Sequence, residues 1–123
     1  GMPENGNYMP LPPKLNKLGI KDFVRITDAR MSGGCFGTQV LHVAPESAVG
    51  GPLAAVRDGD IIHLDVDNNL IELELSDEEI KNRLKDFKPK VHDDIKRGFV
   101  RNFIDSVTQA DEGCDLTYMQ YKD

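Results

Sequence analysis

The sequence predicts a mixed α/β domain, because it contains segments of both types. Two short runs rich in β-branched and aromatic residues, at 23–26 and 40–43, predict strands. Two apolar runs on either side of residues 67–69 predict a β-hairpin. Apolar residues at helical spacing, after Ser76 and over residues 99–107, predict helices. At 123 residues, the chain is long enough for one such domain with its own core.

The first 13 residues predict an extended lead-in. They hold four of the seven prolines, with two glycines and two asparagines, and proline favours extended backbone in the residue before it. We therefore interpret residues 1–13 as a linker and residues 14–123 as the folded domain, with a helical tail from about residue 92. A helical turn is expected over residues 14–18, since Gly19 suits the left-handed residue that ends a helix.

A glycine-rich loop joins the two predicted strands. Gly33, Gly34 and Gly37 tolerate positive φ and let backbone N–H groups approach a ligand. Arg30 and Ser32 are the reactive side chains of this loop, although a serine beside glycine is also ordinary turn chemistry. Neither GxGxxG nor GxxxxGK[ST] fits the loop, so the usual signal for nucleotide binding is missing.

The middle of the chain has clear turn signals. Residues 48–51 and 57–60 have turn chemistry and flank a short apolar element at 52–56. The predicted hairpin follows, and residues 67–69 form its turn. Because glutamates alternate with apolar residues in its second strand, we expect one face of the hairpin to be exposed.

Two helices are predicted with defined ends. Ser76, with Glu79 three residues later, has the capping-box spacing, so the first helix should begin there and run to about Phe87. The second helix covers residues 99–107, with its apolar residues on one face. Gly113 is expected to end it.

Charge and hydropathy exclude several classes of function. The net charge is −6 and the 15 Lys and Arg residues are dispersed, which argues against a nucleic-acid partner. The longest apolar runs are a few residues, and no signal peptide opens the sequence, so no membrane partner is expected. We expect a cytoplasmic protein, or a mitochondrial one if the source is a eukaryote.

The cysteines and histidines do not form a metal site by themselves. Cys35 and Cys114 are far apart and are expected to be reduced, and structural zinc and iron–sulfur sites usually need about four ligands. His42, His63 and His92 have no metal-ligand spacing. We interpret His42, between two apolar residues, as a strand residue.

Six short motifs occur in order along the chain: GMPE at 1–4, TDARMSGG at 27–34, LHVAPE at 41–46, GGP at 50–52, DGD at 58–60 and QADEGCD at 109–115. Together they resemble the C-terminal domain of the dihydroxy-acid dehydratase and phosphogluconate dehydratase family. The last motif is similar to the ending of the sugar-acid branch of that family.

This resemblance implies a fold like the swivelling domain of aconitases, with a β-barrel-like sheet core and flanking helices. It implies a part of a longer hydro-lyase that dehydrates a 2,3-dihydroxy acid to a 2-keto acid. The implied cofactors are an iron–sulfur cluster, [2Fe–2S] or [4Fe–4S], and Mg²⁺, both held largely by an N-terminal domain. The expected partners are that domain and a small polyhydroxy acid, and the full-length protein is expected to be a homo-oligomer. This chain alone is expected to be inactive.

The resemblance also assigns roles to residues. Ser32 would be the base that removes the C2 proton, and Glu4 would bind Mg²⁺. Arg30, Gly33 and Gly34 would form the loop that contacts the substrate and stabilises an oxyanion. No residue of this chain is expected to bind the cluster. A serine base needs such a loop, because its alkoxide must be stabilised by nearby N–H donors and metal charge.

Two questions stay open on the sequence. Ala29 and Met31 resemble the sugar-acid dehydratases, whereas members in branched-chain amino-acid biosynthesis more often have Gly and Phe there, so an aldonate is favoured over a branched-chain dihydroxy acid. The alternative to an enzyme is a non-catalytic binding module on the same fold, since one fold hosts many functions.

Overall fold

The structure, a computed structural model, describes residues 12–30, 37–88 and 94–120. They divide into two compact units. Unit 1 combines Gly1–Ala44 with His92–Asp123, and unit 2 is Pro45–Val91. In the described part of the chain, no helix is long and apolar enough to cross a membrane.

Unit 1 begins with a short helix and a parallel strand pair. Helix α1 is Pro13–Lys17, and Gly19, with φ of 74°, follows it in the left-handed conformation as predicted. Strands β1, Arg25–Ile26, and β2, Gln39–Val40, pair in parallel, with Arg25 opposite Gln39. The predicted strands at 23–26 and 40–43 are therefore longer than the observed ones.

The rest of unit 1 contains helix α3, Phe99–Ser106, and the segment after it. The prediction that Gly113 ends this helix is wrong. The helix stops at Ser106 because Val107 turns to extended backbone and forms a bridge with Leu116. Gly113, with φ of 96°, instead ends a single 3₁₀ turn, Ala110–Glu112.

Unit 2 contains the predicted hairpin. Strand β3, Ile62–Asp65, pairs antiparallel with β4, Leu70–Leu73, so the prediction from turn chemistry is confirmed. The turn includes Asn69 with φ of 54°, a conformation that asparagine tolerates better than most residues. Before the hairpin lie two 3₁₀ turns, Ser47–Val49 and Pro52–Ala55.

Helix α2, Asp77–Leu84, follows the hairpin. Ser76 caps it as predicted, because its Oγ accepts a hydrogen bond from the Glu79 N–H at 3.2 Å. The helix is shorter than predicted, however. After Leu84 the bonding tightens to a three-residue spacing, and the Phe87 N–H donates to the Leu84 carbonyl at 3.0 Å.

Arg83 fastens α2 to the rest of unit 2. Its Nη1 donates to Asp60 Oδ2 at 2.5 Å and to the Ala55 carbonyl at 3.1 Å, and its Nε donates to Glu79 Oε1 at 2.8 Å. Asp60 Oδ2 also accepts from the Arg57 N–H at 2.7 Å. One guanidinium therefore links the helix, a 3₁₀ turn and the turn before β3.

The two described sheets have two strands each. The barrel-like, aconitase-type sheet core stays a prediction. Among the described residues, Ala55 is the one buried apolar side chain. The buried polar residues among them are Arg25, Arg30, Glu46 and Thr108.

Candidate functional site

Four of the predicted site residues lie outside the described part of the chain: Glu4, Ser32, Gly33 and Gly34. Arg30, the residue before this gap at 31–36, is described. The site can therefore be built from the strand ends and side chains that hold the root of the glycine loop.

The parallel pairing of β1 and β2 positions that root. Carboxyl ends of parallel strands meet at one edge of a sheet, the edge where ligands commonly bind in open α/β sheets. Thr27, just after β1, donates its N–H to the Val40 carbonyl of β2 at 3.0 Å. The Thr27 Oγ1 then accepts from the Ala29 N–H at 3.0 Å, a local turn that ends the strand and directs the chain towards Arg30.

The strand pair is also held by its first residues. With its amide oxygen facing β1, Gln39 accepts from Arg25 Nη1 and Nη2 at 3.0 and 2.8 Å. The Arg25 guanidinium carbon lies 5.6 Å from the centroid of the Phe23 ring, within cation–π range. The contact between Arg25 and Gln39 joins the two strands at the position where these residues pair.

Arg30 is an interior side chain of unit 1. It is 6% exposed, and its Nη2 donates to the Thr108 carbonyl at 2.7 Å. Its guanidinium carbon lies 5.7 Å from the centroid of the Phe103 ring in α3. The structure thus binds the root of the glycine loop to α3 and the segment after it. The contact between Arg30 and substrate stays a prediction.

Thr108 is held in place by a hairpin-like arrangement. Its N–H donates to the Asp115 carbonyl at 2.8 Å, and its Oγ1 accepts from the Asp115 N–H at 3.0 Å. Between them, Gln109 and Glu112 form a capping box around the 3₁₀ turn. Thr108 is 8% exposed. The two hydrogen bonds to Asp115 hold the backbone whose carbonyl accepts from Arg30.

The sequence did not indicate Phe103 and Thr108 as partners of Arg30. The sequence indicated Phe103 only as one of the apolar residues at helical spacing in residues 99–107. Thr108 contributes a backbone carbonyl, and its partner in the hydrogen bond is 78 residues away in the chain. A hydrogen bond between residues so far apart in the chain leaves no local pattern in the sequence.

His42 is not a strand residue, so that interpretation is wrong. Strand β2 ends at Val40, and His42 has φ of 58°, in the left-handed region. A strand requires negative φ. His42 is exposed.

The described residues do not form a metal site by themselves. They contain no group of three or more His, Cys, Asp or Glu side chains placed to hold a metal ion. Cys114 is a free thiol, and Cys35 and His92 lie outside the described residues. The Asp65 carboxylate holds the hairpin turn: its Oδ1 accepts from the Asn68 N–H at 3.1 Å, and its Oδ2 accepts from Asn68 Nδ2 at 2.7 Å.

The sequence model of the dihydroxy-acid/6-phosphogluconate dehydratase C-terminal family matches residues 1–114. The chain belongs to this dehydratase family. The resemblance drawn from the six motifs is thereby confirmed for nearly the whole chain.

Curated relatives in this dehydratase family include sugar-acid and dihydroxy-acid dehydratases. L-arabonate dehydratase of Azospirillum brasilense is 54% identical over 97% of this chain and 21% of its own length. L-arabinonate dehydratase of Rhizobium leguminosarum bv. trifolii is 52% identical over 98% of this chain and 20% of its own. Dihydroxy-acid dehydratase of Aquifex aeolicus is 46% identical over 80% of this chain and 18% of its own. The chain spans about a fifth of the length of these relatives.

Proposed function

We propose that this chain is the C-terminal domain of a hydro-lyase that dehydrates an aldonate to a 2-keto acid. The observation that carries the proposal is its similarity to sugar-acid dehydratases over nearly its full length. Relatives named for L-arabonate, L-arabinonate and 6-deoxy-6-sulfo-D-gluconate are 54%, 52% and 49% identical. Dihydroxy-acid dehydratases are 46% and 42% identical. The aconitase-type swivelling fold belongs to the same proposal and rests on the resemblance.

The reaction needs a base at C2 and a leaving group at C3. The base takes the C2 proton, the C–H electron pair forms the C2–C3 double bond, and the C3 hydroxyl departs and becomes water after protonation. The resulting enol then tautomerises to the 2-keto acid. We assign the base to Ser32, which follows Arg30 by two residues in the chain.

A serine hydroxyl is a weak acid, so the alkoxide that takes the C2 proton must be stabilised before the transfer. The backbone N–H groups of Gly33 and Gly34 would provide that stabilisation, since no side chain blocks their approach. An iron–sulfur cluster and Mg²⁺, held largely by another domain and with Glu4 as one Mg²⁺ ligand, would supply Lewis-acid chemistry.

Arg30 supports this assignment through its position. A base must stay within hydrogen-bond reach of the proton that it removes, so the loop that carries it needs a fixed root. The bond from Arg30 to Thr108 and the contact with Phe103 supply one such fixed point, two residues from Ser32.

The proposal is tested with Ser32→Ala in the full-length protein. We expect kcat to fall by about 10²- to 10⁴-fold, the usual contribution of a general base, with unchanged iron content and folding. Ser106→Ala, the same chemical change at the end of α3, is the control and should retain activity. More than about a tenth of wild-type activity in Ser32→Ala would contradict a sole base at this position.

The substrate class is tested by comparing kcat/KM of the wild-type protein for L-arabonate and for a branched-chain 2,3-dihydroxy acid. A higher value for L-arabonate is expected. A higher value for the branched acid would assign the protein to the other branch, and no turnover of either acid would favour the non-catalytic binding module.

A further inference from the structure

The β3–β4 hairpin has an apolar face that the described residues do not bury. Side chains directly opposite each other in an antiparallel pair lie on one face, as do residues two apart in one strand. The register places Ile62 opposite Leu73, and Leu64 opposite Ile71. These four apolar side chains therefore share a face. Ile71 is 41% exposed and the other three are half-buried, so the face is only partly covered.

The outer edge of β3 carries backbone groups that point away from β4. The Glu74 N–H donates to the Ile61 carbonyl at 2.9 Å, so these two residues form a hydrogen-bonded pair. Hydrogen-bonded and non-hydrogen-bonded pairs alternate along an antiparallel ladder, which puts Ile62 and Leu64 in non-hydrogen-bonded pairs. Their N–H and C=O groups therefore face outwards, and no other described strand pairs with this edge.

An open edge beside an apolar face is an arrangement that proteins normally cover. A two-stranded hairpin is at best marginally stable in water, and an exposed edge strand pairs readily with another strand. Charged side chains discourage such pairing. The exposed Glu72 in β4 and Glu74 just after it protect that edge, whereas the one carboxylate of β3, Asp65, binds Asn68. The β3 edge is therefore the favoured one.

We propose that a strand from the N-terminal part of the full-length protein pairs with the outer edge of β3 and covers the apolar face with its own side chains. This inference rests on the part of the proposed function that makes this chain one domain of a longer protein. Its relatives leave ample length for such a strand, because the chain spans about a fifth of them.

The size of the edge favours a strand of the same polypeptide over a second copy. Strand β3 has four residues, so a partner strand would contact it over only about 13 Å. A stable interface between separate proteins requires roughly 1,000 Å² of buried surface. A linked segment can bind through a smaller contact, because linkage makes the association intramolecular.

Hydrogen exchange in the full-length protein tests the pairing. The amides of Ile62 and Leu64 should exchange at least about tenfold more slowly than the amide of Ile71, which points outwards from β4. Mass spectrometry with electron-transfer fragmentation resolves single amides. Exchange at residues 62 and 64 that is as fast as at residue 71 would overturn the inference.

Proline substitution tests the same edge through stability. Proline is tolerated where the N–H of a strand residue faces solvent and is disruptive where that N–H is paired. We compare Leu64→Pro with Leu64→Ala, and Ile71→Pro with Ile71→Ala as the matched control at the opposite residue. In the full-length protein, the extra fall in melting temperature that proline causes over alanine should be several degrees larger at residue 64. An equal difference at both positions would contradict a paired β3 edge.

Photo-cross-linking identifies the partner strand. His63 is exposed and lies between the two residues whose backbone faces outwards. In the full-length protein, His63→p-benzoylphenylalanine should form cross-links to the N-terminal part of the same polypeptide. Cross-links confined to this chain, or a band of doubled mass from a second copy, would overturn the assignment.

None of these measurements depends on activity. An active dehydratase whose β3 edge is unpaired contradicts this inference alone. A paired edge in a protein that turns over no sugar acid supports this inference and contradicts the proposed reaction.

Discussion

Arg30 is a charged side chain whose main structural role lies inside unit 1. A buried guanidinium is costly unless its donors are satisfied, and a bond from a charged donor to a carbonyl is stronger than a neutral one. The Thr108 carbonyl at 2.7 Å satisfies one of these donors, and the Phe103 ring lies 5.7 Å from the guanidinium carbon. Arg30 therefore links two parts of the chain that are far apart in the sequence.

We predict that Arg30→Gln destabilises the protein. A hydrogen bond to a charged group is worth about 1.5–3 kcal/mol, and the neutral Gln amide has no cation to place over the Phe103 ring. The melting temperature should fall by several degrees, since about 1 kcal/mol corresponds to roughly 4–8 °C in a domain of about 60–100 residues and to roughly 2–4 °C in one of about 150–250. In the full-length protein, turnover should fall as well.

Arg97→Gln is the control for Arg30→Gln, because Arg97 is exposed in the same unit. Its melting temperature should stay near that of wild type. Equal melting temperatures for both variants would mean that the bond to Thr108 contributes nothing measurable. Thermal unfolding followed by circular dichroism is the measurement.

At the scale of elements, unit 2 depends on the Arg83 guanidinium and the Asp60 carboxylate. The hydrogen bond from the Arg83 side chain, followed by that from the Arg57 N–H, holds the pKa of Asp60 below its ordinary value of 3.8. A carboxyl group whose pKa is lower in the folded state stabilises the fold above the unfolded pKa, and this contribution disappears as the pH falls through the folded pKa.

We therefore predict that Asp60→Asn lowers the melting temperature at pH 7 and that the gap to wild type narrows as the pH falls below 3.8. At low pH, Asp60 in the wild type is protonated and resembles the amide. Asp58→Asn, at an exposed carboxylate in the same turn, is the control and should show a smaller gap. A gap for Asp60→Asn that is the same at pH 7 and at low pH would contradict a role for the charge.

The elements also show which local signals in the sequence were sufficient. The hairpin and the Ser76 cap were predicted correctly because turn chemistry and the capping-box spacing act over three or four residues. The end of α3 was not predicted, since it depends on Val107 pairing with Leu116. The end of β2 at Val40 was not predicted either; beyond it, the Val43 N–H donates to the Thr27 carbonyl.

At the scale of the molecule, the described residues bury little apolar surface. Ala55, at 2% exposed, is the one apolar side chain among them below a tenth exposed, whereas Val66, Phe99 and Met119 are 73%, 72% and 66% exposed. Apolar burial is the main favourable term in folding. The length and composition of the chain predicted a larger core than the described residues have.

We predict that the 123-residue chain alone unfolds cooperatively but at a low temperature, below about 45 °C, the lower end for mesophilic domains. It should contain no iron, show no cluster absorbance and form no keto acid from L-arabonate. The measurements are calorimetry, metal analysis and a keto-acid assay. Dehydratase activity from these residues alone would overturn the assignment of the cofactor chemistry to another domain.

The division into units sets an order of events during synthesis. Unit 2 is one uninterrupted stretch, Pro45–Val91, whereas unit 1 needs residues from both sides of it. Arg30 leaves the ribosome 78 residues before Thr108, an interval of about 4–16 s at roughly 5–20 residues per second. A hairpin such as β3–β4 forms in about 1–10 μs, so it is complete long before Thr108 emerges. The root of the glycine loop is thus fixed late, and a nascent chain paused before residue 108 exposes the Arg30 guanidinium that the finished fold buries.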